Sequence, residues 1–347
     1  MTPYIICYIV LVVCLAAGLA FGRVRIASLV AFVPMFYLIA ARGLVGVDSA
    51  FYVQQFDVIR YQGFLGGGFE PGFGILVEMM TYVFGDSFDI LIILGCAAAF
   101  LILIAALLLE REPIVFLALT LPFFLFDMTM NGVRYGLAFA IVALGSVALI
   151  TGRRWLFLLC ILGAATIQIS SVLLAVGVWT LTEARPRTFV AIAVLGTALL
   201  YQFGGYLGDK VAQNADLAAA GGLSGVLPLG ITIIVLLAMV LASGPHWREI
   251  VVPVTGLAVL QLTAFGFSRF YYAGLRIQSI VVFMMYLVFA IQIARSETAL
   301  RHNKAVLALL MLACVASSLL RLKNFSDEQA VGLSPFAPYY FASDVIA

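Results

Sequence analysis

The chain has 347 residues, of which 64% are hydrophobic and only 10% charged, and its formal net charge at pH 7 is +2. A mean hydropathy of +1.15 excludes an ordinary soluble domain, and so even a charge balance gives no reason to expect nucleic acid as a partner. Apolar stretches of about 17–25 residues, each long enough to cross a hydrocarbon core of about 30 Å, recur from end to end, so the lipid bilayer is the expected surrounding.

The expected fold class is all-α: a single integral membrane domain over 1–347, polytopic, with about 10–12 membrane segments, some re-entrant or broken. The first segment, Thr2 to Phe21, lacks a basic leader region, and the next apolar run follows directly after Gly22-Arg23-Val24-Arg25. It reads as a retained first helix rather than a cleaved signal. Further full crossings are expected near 26–41, 88–109, 114–126, 134–151, 188–203, 226–243, 250–268, 277–294 and 304–320. Short basic junctions at Arg23/Arg25, Arg111, Arg153/Arg154, Arg185/Arg187, Arg248 and Arg295/Arg301/Lys304 are placed on the cytoplasmic side. Loops 42–70 and 204–225 and the tail 321–347 then face outward. Residues 71–84 are short for a span, and 155–181, with arginines at both flanks, read as a hairpin turning near Gln168-Ile169-Ser170-Ser171. Broken helices of this kind need protein or a water-filled cavity to solvate their backbone.

All five cysteines lie in apolar runs, the two histidines lie in short basic loops, and no Cys/His ligand spacing exists. No protein-bound metal is expected. A phosphate-binding P-loop is also missing from the sequence, which argues against ATP-driven transport by this chain.

Charged residues inside such a chain are costly, and they mark sites, pathways or paired clusters. The first cluster is Gly46-Val47-Asp48-Ser49-Ala50-Phe51-Tyr52, where Asp48 is placed to N-cap a short helix. Asp48, Tyr52 and Gln55 then recur on one face. Two readings stand: a cap on an interfacial helix, or a polar, aromatic shelf for sugar rings. The second cluster is Gly66-Gly67-Gly68-Phe69-Glu70-Pro71-Gly72, with Pro71 suited to a first helical turn and Glu70 just before it. Three glycines would allow a mobile lid. Glu78, two turns further, has no evident local partner.

The third cluster, Asp127 to Ala138, places Asp127, Asn131 and Arg134 on one face if it is helical throughout, either as a structural Asp–Arg pair or as an anion-binding arginine held by Asp and Asn. The fourth, Phe267 to Ile277, spaces Arg269 and Arg276 seven residues apart, two helical turns on one face. Arginine offers a planar fork of donors that matches phosphate oxygens and stays charged. Arg134, Arg269 and Arg276 facing one outward cavity would suit a diphosphate, whereas snorkelling to the membrane surface is the plainer alternative.

In this order, Arg42–Gly43, Asp48, Tyr52, Glu70-Pro71-Gly72-Phe73, Asn131-Gly132-Val133-Arg134-Tyr135-Gly136, a polar break at Gln168, Arg269…Tyr272 and Pro338-Tyr339-Tyr340 resemble the EpsG/Wzy-like polysaccharide polymerases over nearly the whole chain. The resemblance implies a GT-C-like membrane glycosyltransferase of the bacterial cytoplasmic (inner) membrane, without a cofactor. It would move a growing glycan from undecaprenyl diphosphate onto the next undecaprenyl-diphosphate-linked repeat unit, for an O-antigen, capsule or exopolysaccharide. A chain-length regulator is a further partner that it suggests. Asp48 or Glu70 would serve as base, the three arginines would hold the diphosphate, and Tyr52, Asp127, Asn131, Gln168 and Tyr272 would bind glycan or support the site. One departure matters. Such proteins often carry His at the hairpin break, where this chain has Gln168, and Gln is no general base. A ligase or single-sugar transferase with a polyprenyl-phosphate donor, and a lipid-linked oligosaccharide flippase, are the alternatives.

Overall fold

The structure, a computed structural model, describes residues 1–109, 113–183, 225–244, 247–269, 273–295, 303–327 and 334–342. Every regular element among them is helical, and the one β-type pairing is an isolated antiparallel bridge between Arg42 and Phe341. The protein is an all-α polytopic membrane protein. Seven described helices are long and apolar enough to cross a bilayer, and four shorter apolar ones accompany them. The span expected at 188–203, the loop 204–225 save its last residue, and Tyr272 lie outside the described residues.

The chain divides into two units, Met1–Val172 with Cys314–Ala347, and Leu173–Ala313. In the first, α1 (Thr2–Phe21) and α2 (Val24–Ala40) form an antiparallel pair closed by Gly22, whose positive φ of 68° suits a residue without Cβ. Two short helices follow, α3 (Ser49–Gln62) and α4 (Pro71–Thr81), bridged by a 3₁₀ turn over Phe64–Gly67. Neither is apolar enough to count as a span. Then come α5 (Ser87–Leu108), α6 (Pro113–Thr120), α7 (Val133–Ile150) and α8 (Arg154–Ile167).

Helix α5 packs on α2 and α7, and α7 on α8. The close approach depends on small residues: Gly95, Ala98, Ala99, Ala105 and Ala106 are buried on α5, and Gly136, Ala138, Ala140, Ala143 and Gly145 on α7. Where lipid tails are as apolar as the side chains, packing of this kind drives helix association.

The break expected near Gln168 is present. Helix α8 stops at Ile167, and α9 (Ser171–Glu183) begins after Gln168, Ile169 and Ser170. The second unit holds most of α9 with α10 (Val226–Ser243), α11 (Trp247–Ser268) and α12 (Ala273–Arg295). Here α10, α11 and α12 pack against one another. Helix α13 (Lys304–Asp327) carries the chain back into the first unit. It runs past Leu320, so Arg321 belongs to a helix rather than to the expected tail.

Two segments depart from the expected regular helices. After α6 the chain widens into π turns over Leu121–Leu125 and Asp127–Asn131, and α7 starts only at Val133. Asp127 and Arg134 therefore sit on different helical segments, not on one face. Likewise α11 ends at Ser268 and α12 begins at Ala273, so Arg269 and Arg276 do not share a helix. The two helix ends lie close: a Cβ on Gly274 would collide with the backbone of Ser268.

Candidate active site in the first unit

Asp48 and Glu70 both stand at the N-cap position of a helix, of α3 and α4 respectively, and neither side chain caps its own helix. The expected capping role of Asp48 is thus corrected: its position is right, its bond is not. The loop that carries it is held from elsewhere. Asn131 Oδ1 accepts the Asp48 N–H at 2.8 Å, and Ser49 Oγ lies 2.6 Å from the Met130 carbonyl. Gly46, at φ 106°, lies so close to the Met130 carbonyl that any Cβ would strike it. Asp48 itself is exposed.

Glu70 is held through its charge. Its Oε2 lies 2.5 Å from Arg134 Nη1, with the two side chains 22% and 25% exposed. Its Oε1 is 3.5 Å from the backbone N of Ile169, in the break between α8 and α9. The N-terminus of α4 reaches that break because Gly72 has no Cβ; one would overlap Thr166. Arg134 thus pairs with Glu70, sixty-four residues away in sequence, rather than with Asp127.

Tyr52 is buried, 5% exposed, so it is no open shelf for sugar rings. Its ring stacks on Phe69 with centroids 5.8 Å apart and meets Phe56 and Phe73. The Arg134 guanidinium lies 4.8 Å above the Phe69 ring, a cation–π contact. Burial raises the Tyr52 phenol above its ordinary value, and Arg134 beside it opposes that shift. The Phe69 ring covers the face of the guanidinium while the Glu70 carboxylate engages its edge.

Asp127 forms a third focus. Asn131 Nδ2 donates to Asp127 Oδ1 at 3.3 Å, and Arg321 from α13 lies 3.7 Å from Asp127 Oδ2. Arg321 also donates to the carbonyl of Phe123 at 2.5 Å, inside the π turn. Widened turns misalign the backbone ladder, and such π segments cluster at functional sites. Arg321 was not among the residues singled out from the sequence. The signal for it was an arginine at the end of an apolar run, which loop counting assigned to the tail.

Glu78, unexplained by the sequence, accepts the Phe64 N–H at 3.0 Å and so pins the 3₁₀ turn between α3 and α4. Gln168 lies at the extended residue that ends α8. In the second unit, the Arg269 guanidinium lies 4.3 Å from the centre of the Phe265 ring, and Arg276 is exposed on α12. Among the described residues no cluster of His, Cys, Asp and Glu could hold a metal ion.

A family model for the EpsG family matches residues 25–341. Neither the curated proteins nor the solved structures gave a match. The matched stretch takes in both carboxylates, Arg134, the break at Gln168 and most of the tail, and the chain belongs to the EpsG family.

Proposed function

We propose that this protein polymerises undecaprenyl-diphosphate-linked oligosaccharide repeat units into a surface polysaccharide at the outer leaflet of the bacterial cytoplasmic membrane. Membership in the EpsG family carries the general role, polysaccharide polymerisation. The observation that supports the finer reading is the Glu70–Arg134 pair beside the helix break, with Asp48 held near by through Asn131.

In this reading an acceptor hydroxyl attacks the anomeric carbon of the donor glycan. The bond from that carbon to the diphosphate oxygen breaks, and its electron pair leaves with the lipid diphosphate. Arg134 faces the charge that develops there, where a preorganised fork is most effective. The hydroxyl proton goes to a carboxylate. Asp48 fits that task better than Glu70, because it is the more exposed of the two. Tyr52 and Phe69 keep the arginine in place, and Asp127 and Asn131 support the Asp48 loop. No nucleotide is required, since the donor sugar is already activated on its lipid.

The test is a gel of lipid-linked and surface glycans from a strain lacking the gene, beside one with it restored. Loss of long chains with single repeat units accumulating at the outer leaflet is expected. Unchanged chain length with one decoration missing would make the protein a single-sugar transferase, and units trapped on the cytoplasmic side would make it a flippase. In the restored strain, Arg269→Lys and Arg276→Lys each examine a proposed diphosphate role, since lysine keeps the charge and loses the fork.

A further inference from the structure

The residue before α3 is Asp48, among the best N-cap residues, yet its side chain makes no cap bond. The cap comes from elsewhere in the chain. Ser334 Oγ accepts the N–H of Ala50, the second residue of α3, at 3.3 Å, across 284 positions of sequence. The same hydroxyl donates to the Gly46 carbonyl at 2.6 Å, so one fully buried serine ties together both ends of the loop that bears Asp48.

Ser334 is itself on an anchored strap. The Phe336 carbonyl accepts from the Tyr4 hydroxyl at 3.1 Å, and the Phe336 ring stacks on Phe325 with centroids 4.3 Å apart. Tyr339 donates to the Leu38 carbonyl at 2.5 Å, and the Gly43 N–H donates to the Tyr340 carbonyl at 2.8 Å. Ala342 N–H reaches the Ala41 carbonyl at 3.0 Å. The strap therefore runs alongside the chain from Leu38 to Ala50 and presents its serine at the start of α3. Loop, strap and Asn131 all belong to the first unit.

We infer that Ser334 is a positioning residue for the reaction: it caps α3 in place of Asp48, so that the Asp48 carboxylate is directed to chemistry instead of to its own helix. This rests on the reading of Asp48 as the base. If stability alone were served, Asp48 could supply the cap from its own position, without a strap from the far end of the chain. With Ser334 removed, the Asp48 side chain, at the N-cap position, is expected to take the Ala50 N–H in its stead, which keeps the helix and removes the base.

The experiment compares Ser334→Ala, Ser334→Thr and Asp48→Asn in the deletion strain, each measured for polymer length and for protein in the membrane. Ser334→Ala is expected to cut long-chain polymer at least about tenfold at normal protein level, as misplacement of a reacting group does. Ser334→Thr, which keeps the hydroxyl, should restore most of it. Hydrogen exchange over residues 46–56 of the purified chain separates positioning from mere stability. Protection within about twofold of the parent, with polymer lost, supports the inference, because Asp48 has taken over the cap. Protection lost together with polymer overturns it, and so does full polymer from Ser334→Ala while Asp48→Asn is inactive. Full polymer from Asp48→Asn would instead overturn the base assignment, whatever Ser334 does.

Discussion

Asp48 and Glu70 occupy the same local setting, a carboxylate at the residue before a short helix, yet the fold restrains them by different means. Glu70 is fixed by its charge, against Arg134 at 2.5 Å. The Asp48 loop is fixed through its backbone, by Asn131, by the Ser49–Met130 contact and by Ser334. The same position before a helix thus yields two electrostatic situations. One carboxylate is held through its own oxygens, and the other sits on a loop held through its main chain.

The sharpest way to break this contrast is to exchange the charges of the pair. Arg134→Ala is expected to reduce polymer by about 10²–10³-fold, the usual scale for losing a donor aimed at developing charge. Combining Glu70→Arg with Arg134→Glu should bring protein in the membrane back toward the parent level while polymer stays absent. Restored polymer would mean that the pair is only a brace. Next in size is the Asp48 side of the contrast: Asp48→Asn should lower polymer about 10²-fold at unchanged protein level. Asn131→Ala should lower it about tenfold, by releasing the Asp48 N–H. Equal effects of the two would show that the loop, not the carboxylate, matters.

The smallest expected effect compares the loops through their glycines. Gly46→Ala puts a Cβ against the Met130 carbonyl at a φ of 106°, so thermal stability should fall by about 1–3 kcal/mol. Gly68→Ala, at φ 63° with nothing near its Cβ, should cost about 1 kcal/mol or less. Equal losses would remove the claim that the Asp48 loop is the tighter one.

Much of this was legible in the sequence for physical reasons. Hydropathy identified the membrane helices, because a span needs a certain length of apolar chain whatever surrounds it. Pro71 marked a helix start, since it lacks an N–H that a first turn would leave unpaired. The break at Gln168 followed from arginines at both flanks of 155–181, which put both ends on one side. The order of the polar motifs carried the family.

Other features were hidden because they depend on residues far apart. Local spacing put Asp127 with Arg134, but spacing assumes an unbroken α-helix, and the π turns before Gly132 remove that assumption. Tyr52 looked like a surface ring until Phe56, Phe69 and Phe73 closed over it. Arg42 gave no hint that it would be fully buried, bonded to the carbonyls of Val45 and Leu91, with burial pulling its pKa down to about 10.

By itself, then, the sequence determined the solvent, the helical class, the family and the set of charged residues worth a place in an apolar chain. These follow from composition, periodicity and motif order, which are properties of the string. Only the tertiary structure decided which charge meets which: Glu70 with Arg134, Asp127 with Arg321, and Ser334 at the start of the helix that Asp48 introduces. Such pairings depend on Coulomb and hydrogen-bond distances of a few ångströms, and helix packing sets those distances between residues that the sequence keeps tens to hundreds of positions apart.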